Sequence, residues 1–379
     1  RAEILFDLGR FDAAARAYRD VVDADQDGEY AKSAAYTELL AWEEVLAETD
    51  ARASSTTATL SSVEQNLVTA CDRYVRIAPD DEETVKVRMK AARIFADHER
   101  FDDARSRWNE LIGNHPRDPL ASVAMRASFE SFASEKRWGE LREYASKLRS
   151  QDIAEDKRAA SSIQKTIEAA SFNEILHERE PKVEPKEAGE LYRAFTQAHP
   201  ESSYAPQALF NAMLRYREAQ RFDLAIPMGT ELVDTYNRPP PSRPTQARKS
   251  APAELRKSED LASLRAKSMF VLASMYGAAA QPTEAISWYL RYANEFPRGE
   301  ERDDSLYNGA VLLQEMGEYE RARKVLEKYL ELASSQAEAE PARWRLGEVL
   351  EKQEQWKAAE RHYRGLELSA PAGGNLSAR

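Results

Sequence analysis

Cysteine is almost absent. Cys71 is the only one in 379 residues, so no intrachain disulfide, Cys-x-x-Cys redox pair or cysteine-rich zinc site can form. Positive charge is not in excess: 54 Lys and Arg face 65 Asp and Glu, a net −11 spread along the chain without blocks, which argues against a phosphate-backbone binder and disfavours nucleic acid as a partner. Long apolar runs are also missing. The longest uncharged apolar stretch, 268–280, is far short of the ~20 residues that cross a bilayer. The 14 glycines form neither GxGxxG nor GxxxxGK, so nucleotide phosphate has no glycine cradle. The five histidines, His98, His115, His177, His199 and His362, have neither HExxH nor HxxxH spacing; they read as polar residues at helix ends, not as metal ligands. No paired catalytic carboxylates stand out either. Glu318, Glu320 and Glu327 are interleaved with Arg321, Arg323 and Lys324, the pattern of a solvated helix face. Neither an enzyme, a cofactor, a metal nor a small-molecule substrate is expected.

What is present is periodicity. A length of 379 residues would suggest two or three domains at ~100–200 residues each, unless the chain is a repeat array. An aromatic residue, Ala three later, a large residue seven later and Pro fifteen later occurs complete at Phe101, Ala104, Trp108, Pro116 and again at Trp356, Ala359, Tyr363, Pro371. The frame extends to anchors at 11, 64, 101, 138, 185, 222, 282, 319 and 356, and five of the eight intervals are 37 residues. Ala at the third offset, in seven of nine copies, marks a close approach of two helices, and the residue four later shares its face. Pro at the fifteenth offset stops the helix. Before each anchor lies another helical pattern, such as 204–218, 264–276, 305–315 and 342–351, with a large apolar residue six before the anchor at Phe95, Phe132, Tyr216, Tyr276, Leu313 and Leu350. Cys71 falls on the seventh offset, where other copies carry Tyr18, Trp108 and Tyr192, so it reads as a small buried hydrophobe.

These residues resemble the tetratricopeptide repeat, a helix-turn-helix unit usually of about 34 residues. Leu346, Gly347, Leu350, Trp356, Ala359, Tyr363 and Pro371 follow its motif nearly position for position. The resemblance implies an all-α, right-handed superhelical solenoid of about nine helical hairpins that binds proteins or peptides in a concave groove. The longer unit has its extra residues between the Pro and the next helix. Together with the stretch Pro200-Glu201-Ser202-Ser203-Tyr204-Ala205-Pro206, it is similar to the envelope subgroup of bacterial repeat proteins, of the BamD and YbgF type. That likeness implies partners in a bacterial cell-envelope complex and a periplasmic or outer-membrane-associated location; a cytoplasmic, regulatory adaptor domain of a larger protein is the alternative. The first residue is Arg, not Met, so an export signal or lipid anchor upstream of Arg1 is allowed for.

Three intervals exceed 37 residues and locate insertions. The first, near 49–62, is expected to be a loop with a helix extension. The second, 177–185, carries Pro181 and Pro185 among charges and is expected to be a bend between superhelical halves at 1–176 and 186–371. The third, 237–252, has prolines at 239, 240, 241 and 244 and is expected to be an exposed, polyproline-like loop. Its Arg238, Arg243, Arg248 and Lys249 leave open a docking role towards an SH3-like partner or an anionic surface. Residues 372–379 read as a disordered tail.

The candidate site follows from the resemblance. In the family the residue twelve before the anchor faces the inner surface of the superhelix. Here that column is Met89, Arg126, Phe210, Phe270, Tyr307, Trp344; the inner position eight before the anchor is Arg93, Glu130, Leu214, Ser274, Val311, Glu348. The candidate groove is therefore apolar at Phe210, Leu214, Phe270, Tyr307, Val311 and Trp344 and charged at Arg93 and Arg126. No copy has the Lys and Asn pair with which family members grip chaperone C-termini. The competing reading packs the aromatics between adjacent first helices as part of the core.

Overall fold

The computed structural model describes residues 1–50, 59–151, 157–236, 253–332 and 336–369. They are helical, and no strand occurs among them. The chain forms two compact units, Arg1–Glu174 and Ile175–Arg379. The first holds α1 (Ala2–Asp7), α2 (Phe11–Ala24), α3 (Ala31–Asp50), α4 (Ser62–Ile77), α5 (Thr84–Asp97), α6 (Phe101–Asn114), α7 (Pro119–Ser134), α8 (Trp138–Ser150) and α9 (Lys157–Glu174). The second opens with a π-turn, Ile175–Arg179, and a 3-10 turn, Glu180–Lys182. It continues with α10 (Pro185–Ala198), α11 (Ala205–Glu218), α12 (Phe222–Thr235), α13 (Ala253–Ala278), α14 (Pro282–Glu295), α15 (Arg302–Glu315), α16 (Tyr319–Leu332), α17 (Gln336–Lys352) and α18 (Trp356–Ser369). Within each unit sequential helices pack side by side. Most of their connections are of a few residues, which makes such neighbours antiparallel. This is the all-helical, paired-helix architecture that the repeat frame implies.

Eight of the nine anchors are the first residue of a helix. The repeated Ala explains the packing: Ala14, Ala104, Ala188, Ala225, Ala285, Ala322 and Ala359 are 0–3% exposed, so at each a neighbouring helix lies against the methyl. Small and large residues complement each other across the pair. A methyl on Gly189 would meet the Tyr216 ring at 2.7 Å, and one on Gly347 would collide with Tyr363.

The turn inside the hairpin recurs in seven of the nine copies. Two residues before the anchor the backbone is left-handed at Gly9, Glu99, Lys136, Gln220, Ala280, Gly317 and Glu354, with φ from 56° to 77°. The following N–H then donates back to the residue six before the anchor: Arg100 N to Phe95 O at 2.9 Å, Arg221 N to Tyr216 O at 2.8 Å, Glu318 N to Leu313 O at 2.9 Å. This is a Schellman closure, which satisfies the last carbonyls of the first helix. The large apolar residue six before the anchor thus has a backbone role besides its packing: its carbonyl closes the turn.

The turn between hairpins accounts for the longer repeat. After α6, His115 N donates to Leu111 O, Asp118 N to His115 O and Ala121 N to Asp118 O, at 2.9–3.0 Å. The same three-step ladder follows α10 through His199, Ser202 and Ala205, and α14 through Phe296, Gly299 and Arg302. Tyrosines tie the ladder to the helix before it: Tyr74 Oη donates to Asp81 Oδ1 at 2.6 Å, and Tyr292 Oη to Glu301 Oε2 at 2.5 Å.

Two expected boundaries are corrected. In the copy anchored at Glu64 the helix starts at Ser62, because Ser61 is its N-cap: Glu64 N donates to Ser61 Oγ at 3.2 Å and Ser61 N to Glu64 Oε2 at 2.7 Å, a capping box. The last first-helix begins at Gln336, not at 342, with Pro341 inside it. Pro341 sits early enough that only one intrahelical N–H is lost. The expected helix extension before the first insertion reaches Asp50. Its remainder around 51–58, the 237–252 loop and the 372–379 tail lie outside the described residues. Segment 177–185 is helical through Lys182. No helix among the described residues is long and apolar enough to cross a membrane.

Candidate binding surface

The first helices of the second unit carry the aromatic positions. Phe210 on α11, Phe270 on α13 and Tyr307 on α15 are half-buried, and Trp344 on α17 is 40% exposed. The last three brace one face against the second helix of their own hairpin. Phe270 meets Tyr289 edge-on at 5.7 Å, Tyr307 lies 6.1 Å from Tyr329, and Trp344 lies 5.4 Å from Tyr363. Leu214 and Val311 are half-buried as well. Among the described residues, no ring contact joins Phe210, Phe270, Tyr307 and Trp344 to one another. Phe270, Tyr307 and Trp344 are separate anchors, each leaning on a tyrosine of its own hairpin and each only partly covered.

Polar groups frame the end of this surface. The Arg345 guanidinium lies 5.6 Å over the Tyr307 ring, and its Nη1 donates to Gln314 Oε1 at 3.0 Å. Gln314 Nε2 in turn donates to Glu348 Oε2 at 3.3 Å. These contacts link α15 to α17 beside Tyr307, and sequence periodicity did not reveal them, since Arg345 and Gln314 lie outside the two inner columns.

In the first unit the corresponding positions differ in kind. Arg93 on α5 and Arg126 on α7 are exposed, as is Glu130, while Met89 is half-buried. Arg93 has only a loose pair with Asp97, Nε to Oδ2 at 3.8 Å, and it lines a hollow of about 310 Å3 with Glu43, Leu46, Lys90 and Ile94. Lys90 pairs with Glu43 across α5 and α3, and burial lowers its pKa.

The other sequence candidates are structural. Cys71 is fully buried, and burial pushes its thiol up to about 12. His115 and His199 cap the C-terminal ends of α6 and α10. His98 Nε2 lies 2.7 Å from Glu64 Oε1 and His362 Nε2 lies 2.8 Å from Arg343 O. Among the described residues no group of three or more His, Cys, Asp or Glu could hold a metal ion. The exposed charges of α16 pair along their own helix, with Arg321 Nη1 to Glu318 Oε2 at 2.5 Å and Arg323 Nη2 to Glu320 Oε1 at 3.0 Å.

A tetratricopeptide repeat family model matches residues 307–374. No curated protein sequence matches the chain. Similar solved structures include a signal transduction ATPase with numerous domains and a tetratricopeptide repeat sensor from Pyrococcus horikoshii, at 13% identity and TM-score 0.34, over 91% of this chain and 54% of that one. Yeast Tom70 aligns at 11% identity and TM-score 0.29, over 92% of this chain and 59% of Tom70. A human IFIT1 dimer with PPP-AAAA aligns at 13% and 0.28, over 96% and 70%. The chain thus spans just over half the length of the first two.

Proposed function

We propose that this chain, with a tetratricopeptide repeat match over 307–374, is a non-enzymatic scaffold that binds partner proteins or peptides on the first-helix surface of its second unit. The observation that carries the reading is the half-open state of Phe270, Tyr307 and Trp344, each braced by a tyrosine behind it. A ring already held on one face loses little conformational entropy when a partner covers the other, and large aromatics are the usual binding hot spots, each costing ~2 kcal/mol or more when truncated. A partner helix or extended segment lays apolar side chains on these rings and on Leu214 and Val311, while the exposed guanidinium groups of Arg93 and Arg126 attract acidic segments. The envelope-type element at 200–206 supports placing the partners in a bacterial cell-envelope complex, for outer-membrane biogenesis, a trans-envelope machine or motility, with the chain in the periplasm or at the outer membrane.

The test is the double variant Tyr307→Ala, Trp344→Ala, followed by both denaturant unfolding and affinity capture from native envelope. Capture should fall at least ~10-fold, with a stability loss of only ~1–2 kcal/mol because the side chains are partly exposed. A loss of several kcal/mol, with capture failing only as the fold fails, would assign the rings to the core instead.

A further inference from the structure

A hollow of about 370 Å3 opens between α4, α5 and α6. From α5 it takes Arg88 and Ala91, not the inner-column residues Met89 and Arg93, so it lies apart from the candidate groove. Three guanidinium groups, those of Arg76, Arg88 and Arg107, meet two carboxylates, Asp72 and Glu110, in its wall. The two carboxylates are already engaged. Arg107 Nη2 donates to Asp72 Oδ2 at 2.9 Å while its guanidinium lies 5.0 Å over the Phe95 ring, and Arg88 Nη1 is 3.2 Å from Glu110 Oε2. Arg76 makes no ion pair among the described residues, and Arg88 Nε is buried with no acceptor. One positive charge and one buried N–H are therefore left over. The rest of the wall includes Val75, Pro79 and the small Ala91, which leave apolar room beside the charge.

A planar guanidinium pairs with a carboxylate through two N–H donors, and a single surplus charge matches a monoanion better than a dianion. We propose that this hollow binds one carboxylate carried on a short apolar stem, with Arg76 as its ion-pair partner and Arg88 Nε as a further donor. The carboxylate can belong to a free organic acid or to the C-terminus of a peptide. The site does not depend on the aromatic surface and would stand if those rings proved to be core.

Calorimetric titration of the full chain tests the proposal, with 4-methylpentanoate, its amide, inorganic phosphate, and a short Leu-terminated peptide with free or amidated C-terminus as probes. Saturable binding of a free carboxylate is expected, on the order of tenfold or more tighter than its amide and tighter than phosphate. Arg76→Gln, a change at an exposed residue, should weaken carboxylate binding on the order of tenfold and leave the unfolding midpoint unmoved. Tighter binding of the free-ended peptide than of the organic acid identifies a chain terminus as the source; the reverse order identifies a small molecule. The proposal is overturned if neither carboxylate binds saturably, if amide or phosphate binds as well, or if Arg76→Gln retains full affinity.

Discussion

Arg93, Arg126 and Glu130 stand exposed and charged on the first helices of the N-terminal unit, whereas in the C-terminal unit the column of Arg126 carries Phe210, Phe270, Tyr307 and Trp344. The interiors differ too. The N-terminal unit buries Glu38 against Arg73, Oε2 to Nε at 3.1 Å, and sinks Arg105 between Asp102 and Glu135 with its guanidinium 4.2 Å over Phe132. Among the described residues the C-terminal unit has three fully buried tyrosines, Tyr192, Tyr216 and Tyr292, against Tyr74 in the N-terminal unit, alongside the buried guanidinium of Arg265, paired with Glu295 at 3.0 Å. Yet the left-handed turn occurs in both, and the third-offset position is buried in both, as Ala14, Leu67, Ala104 and Leu141 in one unit and as Ala in every copy of the other. Positions that set the helix-to-helix distance and close the turn leave little choice of residue, and the positions around them are free to carry charge in one unit and rings in the other. The units share a frame and differ in surface chemistry.

The most severe test of a shared frame is Ala322→Trp, at a position with no exposure. It should cost at least ~3 kcal/mol through overpacking, with hydrogen exchange quickening first in α15 to α18, because repeats lean on their neighbours. An unchanged unfolding midpoint would mean that the frame is wrongly placed. The buried ions of the N-terminal unit are the next point of attack. Burial raises the Glu38 carboxyl from 4.5 to about 7, against the pull of Arg73 and Arg19 and with some help from Asp23. The folded state therefore holds a proton that the unfolded chain releases, so this group's contribution to stability falls as pH rises from about 4.5 to about 7, by roughly 3 kcal/mol in all. Glu38→Gln should remove that part of the pH dependence and gain on wild type above pH 7, read from denaturant midpoints at pH 5 and pH 8. Parallel curves would show a Glu38 that stays ionised beside Arg73 at both pH values, which would overturn its raised pKa. The smallest effect concerns the turn common to both units. Gly317→Ala should cost ~1 kcal/mol, and Lys136→Gly should gain ~0.5–1 kcal/mol, since both residues sit at positive φ (77° and 58°) where a side chain is strained. Equal midpoints for all three proteins would deny the turns a shared energetic role.

Much of the frame could be read from residue types alone. Phe101, Tyr319 and Trp356 mark helix starts because aromatic, Ala and large residues at offsets of zero, three and seven occupy one helical face. The Glu64 copy was displaced because its helix start depends on a side-chain cap two residues earlier, which apolar periodicity does not see. The turn was legible at Gly317 and invisible at Glu99, Lys136, Gln220, Ala280 and Glu354, where strain is tolerated because the closing hydrogen bonds and the packing around them outweigh it. The aromatic column was visible as a column, but no sequence feature decided whether its rings were inside or outside.

Sequence by itself determined the helical class, the 37-residue unit, the buried Ala column and the absence of a glycine cradle or a cysteine cluster, because each depends on which residue stands at which spacing. Only tertiary structure decided that Trp344 leans on Tyr363 yet stays 40% exposed, that Glu38 is buried beside Arg73, and that Arg76, Arg88 and Arg107 meet in one hollow. Those outcomes depend on how neighbouring helices pack and where their side chains meet, which tertiary packing sets and local spacing does not encode.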